Sequence, residues 1–422
     1  MMKEKMQGPG AEVGREVLKA FLKERSPLGP LRVMFARVGR LFQIPLPFFH
    51  PFVVAGPQAV RSVLVTRRDS LRWRNPDPVT DLLRQGLLVT DGAEHDLYRG
   101  LIEPSLTPAV LPGYAGLMRR QTLRVASAWQ ADQVVDMLVE GRKIALLIVM
   151  ETLFGVDIWD DLPRLWTPIL KAIQYISPGP WILWRNIPRP GYQKHLRTLD
   201  EYLYGIIRAR RSTTGGQPDL LQHLIEAGLD DERIRDQMLT LLIAGHDTST
   251  ALLAWIFALL GQNPAVHAQL VAELDAIGSD GYPHLLDEVI RESLRLYPPI
   301  HIGNRMVTDE IKFEEGSVPA GERLFYSIYL TQHDPQSWER PDDFCPERFA
   351  RGRKQPPFAY IPFGAGPRAC PGAAFGLAEA RIVLTCLLQT FSFEALNASR
   401  VHAHMGATLE PRPGVLMRVT RR

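Results

Sequence analysis

The sequence predicts a mainly α protein with a minor β component, and three observations carry this. Apolar residues recur with helical spacing through most of 115–227. Two further segments, Arg233 to Leu260 and Ala373 to Phe391, keep helical spacing and are so uniformly apolar that they must be buried. The β-type runs are short, at Leu41 to Val54 and Met306 to Val318.

Taken in order, residues 11–25 read as a short amphipathic helix that Pro27, Gly29 and Pro30 end. The runs from Leu41 to Val54 are broken by Pro45, Pro47 and Pro51 and so read as edge strands. Helical spacing returns over Gln58 to Val65. Arg72 to Gly86, with Pro76 and Pro78, reads as an irregular loop, either a cover for a pocket or an inert surface segment. After Asp91-Gly92 the pattern is helical through Leu101. Within 115–227 the breakers are Pro178-Gly179-Pro180 and Pro188-Arg189-Pro190. Trp159 and Trp166 read as core, whereas Trp181 and Trp184 follow a breaker and are candidates for an entry lid or an apolar contact. Val289 to Leu296 is an amphipathic helix stopped by Pro298-Pro299. Ile300 to Arg305 runs extended, and Trp338 to Phe358 reads as a meandering loop.

With 422 residues, 45% hydrophobic and 23% charged, the chain has ordinary globular proportions, and no linker, repeat or low-complexity block divides it. A single domain over 1–422, with an N-terminal extension over 1–30, is therefore expected. The net charge of +3 gives no electrostatic support to nucleic-acid binding. Three cysteines, at 345, 370 and 386, form no CxxC pair, which argues against a disulfide framework or structural zinc and suits a reducing compartment. The first 25 residues hold no apolar run near the roughly 20 needed to span a bilayer. A cytoplasmic protein without a transmembrane anchor is the expectation.

Four groups of residues carry chemistry. Pro362 to Gly372 brackets Arg368 and Cys370 with Gly364, Gly366 and Gly372, and a helix follows. Glycines suit a bend that passes close to something flat, and the N–H groups at the helix start favour a thiolate. Cys370 is then an axial ligand for haem iron, a buried small hydrophobe, or a nucleophile beside a distant histidine. Next, Ala244-Gly245-His246-Asp247-Thr248-Ser249-Thr250 is a polar patch in the most apolar helix. Buried hydroxyl and carboxylate groups cost several kcal/mol unless satisfied, so this patch calls for a function. Gly245 would let a ligand approach the backbone, and Thr248 can bond back to the Ala244 carbonyl and locally open the helix. His246 reads as packing, with Ser249 and Thr250 as helix-local donors. Third, His95 and Arg99 leave one helix face four residues apart. Fourth, Glu292 and Arg295, three apart, have a second arginine available at Arg348.

Phe363, Gly364, Gly366, Arg368, Cys370 and Gly372, together with Ala244-Gly245-x-Asp247-Thr248, Glu292-x-x-Arg295 and His95-x-x-x-Arg99, resemble the motifs of the cytochrome P450 superfamily in family order. The resemblance spans about 40–420 and implies the haem-thiolate fold: mainly α, a long helix over the haem and a small β-rich lobe near the N-terminus. It implies haem b ligated by Cys370. It further implies a cofactor pocket including Phe363, Gly366 and Ala244, with His95, Arg99, Arg305 and Arg368 at the haem carboxylates. Thr248 would hydrogen-bond the oxygen co-substrate, Asp247 would relay protons, and Glu292, Arg295 and Arg348 would form a scaffolding ion-pair triad. Ile243, Ile300, Ile302 and Met405 are the pocket candidates, and His301 is an unusual polar neighbour among them.

The implied reaction is monooxygenation of a large apolar substrate, such as a fatty acid or terpenoid. Electrons would come from NAD(P)H through a separate ferredoxin or flavodoxin and its reductase. Two alternatives are a haem-thiolate peroxygenase or rearrangement enzyme and a non-enzymatic haem sensor. The Asp247-Thr248 pair argues against both, since neither needs a proton route.

Overall fold

The computed structural model describes residues 10–44, 49–73, 77–179, 189–213, 218–278 and 281–422. At its centre runs Asp231–Gln262, a helix of 32 residues begun by the Asp230 side chain, which accepts a hydrogen bond from the Arg233 N–H at 2.8 Å. Its buried residues lie on every side of the helix, so neighbours surround it. The most extensive of these contacts is with Met137–Phe154, a second apolar helix that starts at an Asp136 cap and ends at Gly155, φ 64°. Ala373–Thr390 packs against Leu111–Ala126 and also touches the central helix. Asp231–Gln262 and Ala373–Thr390 are long and apolar enough to cross a membrane by composition, but in each case most of the apolar window is buried inside the fold.

The β component is assembled from distant parts of the chain. A five-stranded sheet has the order Leu41–Gln43, Phe52–Val54, Arg323–Ser327, Ile302–Val307, Leu71–Arg72, with Phe52–Val54 parallel to Arg323–Ser327 and the other pairs antiparallel. The lobe expected near the N-terminus is thus completed by strands some 250 residues later. Phe52–Val54 is an interior, fully buried strand where an edge was expected, and Pro51 sits just outside it, where it removes no ladder bond. A second sheet joins Gln133–Asp136, Leu416–Arg421 and Phe391–Ala395. The hairpin His402–Met405 with Leu409–Arg412 reaches the central helix, where the Trp255 indole N–H donates to the Leu409 carbonyl at 2.8 Å.

Local expectations fail in two instructive places. Pro27, Gly29 and Pro30 end the first helix, Ala11–Glu24, yet the chain enters a second one, Leu28–Val38, at once. Prolines in a first turn lose no intrahelical bond, so the same residues that stop one helix can open the next. Pro78–Leu83 is likewise helical where a loop was expected. Asp77 caps it by accepting from the Val79 and Thr80 N–H groups, both at 3.0 Å, and Pro78 occupies the first turn. Trp181 and Trp184, the expected lid residues, lie outside the described residues.

Candidate active site

The cysteine loop is built from successive turns: Ala369 N–H donates to Gly366 O at 2.9 Å and Cys370 N–H to Phe363 O at 2.8 Å. Gly364 and Gly366 hold φ near +70°, and a Cβ on Gly366 would lie 2.4 Å from the Leu64 carbonyl oxygen. Only glycine fits there, because both the dihedral and the neighbouring backbone exclude a side chain. Gly366→Ala is therefore expected to cost at least about 2 kcal/mol. Thermal unfolding together with haem content checks this, and an unchanged midpoint would remove the backbone argument.

Cys370 keeps an exposed side chain at this bend, yet its surroundings are close enough that burial pushes the thiol pKa up. The Gly372 N–H and Arg99 act in the opposite direction and are outweighed. The N–H at the helix start thus acts toward a thiolate, as expected, but burial outweighs it.

Four basic side chains converge near this loop. Arg99 donates to the Ala369 carbonyl at 2.8 Å and to Glu103 at 3.1 Å. Arg368 donates to the Thr90 carbonyl and to Asp91 at 2.9 Å. Burial lowers its pKa and Arg305 adds to that, against the pull of Asp91. Arg305 is buried, lies over Trp73 at 4.6 Å and Tyr326 at 5.3 Å, and has no carboxylate within ion-pair distance among the described residues. His95, buried with Nδ1 3.0 Å from Asp96, has its pKa lowered by burial and, in part, by Arg368 and Arg99. A buried arginine repelled by a second one and lacking a carboxylate is the donor set an anionic ligand satisfies.

The central helix breaks its own burial pattern at the polar patch. Ala244 is exposed and Thr248 half-buried, although nearly all their neighbours from Ile234 to Leu260 are buried. Thr248 Oγ1 donates to the Ala244 carbonyl at 2.6 Å, but the helix stays unbroken, so the opening expected there is absent. Gly245 also has another role than expected. A Cβ on it would stand 3.0 Å from Val149 Cγ2, so the glycine admits the neighbouring helix. His246 is fully buried and both ring nitrogens lack a partner among the described residues; burial holds it neutral.

Asp247 points away from Thr248. Its Oδ2 accepts from Thr408 Oγ1 at 2.8 Å and its Oδ1 from Arg142 at 3.3 Å, while Arg142 also reaches Glu410 at 3.2 Å. Glu410 is paired in turn with the half-exposed Arg412 at 2.7 Å, so charged groups link Asp247 to the surface. Burial raises Asp247 to about 6 against the pull of Arg142.

Ser249 is not the helix-local donor expected. It donates to Glu379 Oε2 at 2.5 Å and thereby ties the patch to the helix that follows the cysteine loop. Thr250 does bond locally, to the His246 carbonyl at 2.8 Å. Glu379 is fully buried, its Oε1 has no partner among the described residues, and burial raises its pKa to about 8. A carboxyl raised this way is ionised earlier in the unfolded chain than in the folded one. It therefore costs stability progressively as pH rises from about 4.5 toward 8. Glu379→Gln is expected to remove that slope and to match or exceed the parent at pH 8, which denaturant midpoints at pH 5 and pH 8 would measure.

The other candidates divide. Glu292 and Arg295 are wholly buried and form a bidentate pair with both contacts at 2.8 Å, and Arg348 joins Glu292 at 3.2 Å. Phe363 is half-buried against the main core, Ile243 is buried, and Ile302 is half-buried. Ile300 is 42% exposed, and Met405 packs with Phe325 against the cluster of Phe42, Val53 and Leu409. Neither is thereby tied to the polar patch. His301 is buried, its Nε2 lacks a partner among the described residues, and burial lowers its pKa to about 4. Sequence reasoning missed Arg142, Glu410 and Glu379, and placed Thr408 only in a turn at the pocket rim, not beside Asp247. Arg142 and Glu379 had a weak signal: each is one of a few charges in a largely apolar helical run.

Comparison with known proteins adds an independent line. A family model described as Cytochrome P450 matches residues 18–417. The cyclooctat-9-en-7-ol 5-monooxygenase of Streptomyces melanosporofaciens is 28% identical, over 83% of this chain and 81% of that one. The putative cytochrome P450 138 of Mycobacterium bovis is 30% identical, over 87% and 86%. Among solved structures, the retinoic acid bound cyanobacterial CYP120A1 superimposes with a TM-score of 0.85 at 24% identity, covering 96% of both chains. The P450DA heme domain gives 0.82 at 25% identity, over 96% and 93%.

Proposed function

The chain belongs to the cytochrome P450 family, and from that premise we propose a single-domain, cytoplasmic haem b monooxygenase that oxidises a large apolar substrate. Membership makes it an oxidoreductase that binds haem. The carrying observation is the meeting of an accessible Cys370 with the buried Arg305 and the partly buried Arg368 that repels it, since iron and two carboxylates answer both needs. Cys370 would hold the iron, with Arg305, Arg368, Arg99 and His95 at the carboxylates, and Phe363, Gly366 and Ala244 around the ring. Bound there, haem supplies the activation of O2.

The chain's own residues govern protons and access. Thr248 spends its own proton on the Ala244 carbonyl at 2.6 Å and leaves its lone pairs to receive a donor from the pocket side. Asp247, near pKa 6, exchanges a proton at neutral pH and is linked outward through Arg142 and Glu410. Thr248→Ala is expected to retain haem while diverting reducing equivalents to peroxide. Comparing NADH consumed with product formed tests it, and unchanged coupling removes Thr248 from the route.

The apolar residues Ile243 and Ile302 support a fatty acid or terpenoid as substrate, and the name of the Streptomyces relative denotes a cyclic alkene alcohol. The unpartnered His301 Nε2 supports one hydrogen-bonding group on that substrate. Electrons reach the enzyme from NAD(P)H through a ferredoxin or flavodoxin and its reductase. NADH-dependent turnover with a surrogate ferredoxin is the deciding experiment: peroxide-driven turnover alone would favour the peroxygenase reading. A compound screen read by the shift of the haem absorption band would identify the substrate class.

A further inference from the structure

Glu379 lies in the second turn of Ala373–Thr390, the helix that begins three residues after Cys370, about 9 Å along it at about 1.5 Å per residue. The side chain is fully buried, its Oε2 accepts from Ser249 Oγ at 2.5 Å, and its Oε1 has no partner among the described residues. Ser249 follows Thr248 on the central helix. One carboxyl therefore joins the helix of the cysteine loop to the helix of the polar patch.

The elements packed against Ala373–Thr390 bring their charges to other partners. On Leu111–Ala126, Arg119 acts on Cys386 and Tyr282. Asp275 on Pro264–Ile277 pairs with Arg422, and on His284–Leu296 Asp287 pairs with Arg381 and Glu292 with Arg295. Glu394 on Phe391–Ala395 pairs with Arg418, and Asp247 on the central helix turns to Arg142 and Thr408. Besides burial, only the Ser249 hydroxyl acts on Glu379. A buried carboxyl with one neutral donor and no counter-charge is held more easily protonated than ionised.

We propose that Glu379 takes up a proton when the haem is reduced. The iron gains one electron from the reductant, Glu379 gains one proton from solvent, and the charge added at the metal is compensated inside the core. The inference rests on haem held by Cys370. Its cause is electrostatic: negative charge added at the iron disfavours a nearby carboxylate and so raises the proton affinity of the acid. Two unit charges roughly 10 Å apart, at an effective dielectric constant near 20, change that affinity about tenfold. At low pH the carboxyl is neutral with either iron state, and at high pH it is ionised with either. Only between these limits does the reduction equilibrium depend on pH. Burial puts Glu379 at about 8, so the window is roughly pH 7 to 9, above the titration of Asp247 near 6 and of the lowered His95.

The test is an equilibrium redox titration of the full-length, haem-loaded protein followed by haem absorbance. At one fixed ambient potential, the ratio of reduced to oxidised haem should fall about tenfold from pH 7 to pH 9 in the parent and stay constant in Glu379→Gln. Ser249→Ala removes the one hydrogen bond that favours the ionised carboxyl, so the fall should move to higher pH. A reduced-minus-oxidised infrared spectrum at pH 8 should gain the carbonyl stretch of a protonated carboxylic acid, and Glu379→Gln should lack that gain. A merely structural glutamate would move none of these readouts. The proposal is overturned by a parent ratio that stays flat over this range, or by a Glu379→Gln protein that keeps the parent's fall. Should that variant lose haem, a Ser249→Ala fall that does not move overturns it instead. A thiolate-type CO band in the parent together with a flat ratio removes this inference alone, whereas absence of the band removes the haem-thiolate reading beneath it.

Discussion

Cys370→Ala is expected to leave a folded protein that no longer shows the thiolate-type band on reduction and CO binding. The turns that shape the loop are backbone bonds, Ala369 to Gly366 and Cys370 to Phe363, and these survive loss of the sulfur. What disappears is the side chain proposed to hold the iron. Loss of a ligand should exceed the roughly 10–100-fold that outer-shell changes cost in metal-site affinity or activity. Haem titration and the CO difference spectrum of the variant provide the check. Because burial already pushes the free thiol pKa up, the apoprotein should in addition be slow to react with thiol reagents at neutral pH. Retention of the thiolate band in the variant would refute the ligand assignment and, with it, the proposed reaction.

Glu292→Gln is the substitution with the largest expected effect on stability. Glu292 accepts from Arg295 twice, from Arg348 and from the Cys345 N–H at 3.0 Å. Arg295 is wholly buried and also donates to the carbonyls of Gln332, Pro341 and Asp343 at 2.7 to 3.1 Å, so it cannot swing out to water. Removing the carboxylate leaves an uncompensated buried charge, at about 3–5 kcal/mol. Because Cys345 and Arg348 precede the cysteine loop, haem retention should fall with stability. Arg348→Lys keeps the charge and loses one contact at a partly open position, so its effect should be much smaller. Denaturant midpoints of the two variants decide the matter: equal, small losses would reduce the triad to an ordinary ion pair.

The motifs were legible because their chemistry is local. The loop at Phe363 to Gly372 needs glycines where φ is positive, and the Glu292 to Arg295 spacing follows from one helical turn. Partners distant in sequence were not legible. Nothing near Asp247 announces Arg142, 105 residues away, or Thr408, 161 residues away. The same holds for Gly245, whose neighbour Val149 lies on another helix. Its glycine reads equally as a ligand approach or a helix contact until the packing is known.

Taken by itself, the order of residues determined that the chain is mainly helical, where its longest helices run, and which cysteine stands at a glycine-built bend. Those features depend on periodicity and backbone freedom, which act within a few residues. Tertiary structure alone decided that a lobe begun at Leu41 is closed by strands from 302 to 327, and that Asp247 turns outward to Arg142 while Ser249 meets Glu379. It also set burial against the helix-start N–H at the Cys370 thiol, with burial the larger effect. Desolvation and strand pairing depend on what surrounds a group in space, and that neighbourhood exists only once the chain has folded.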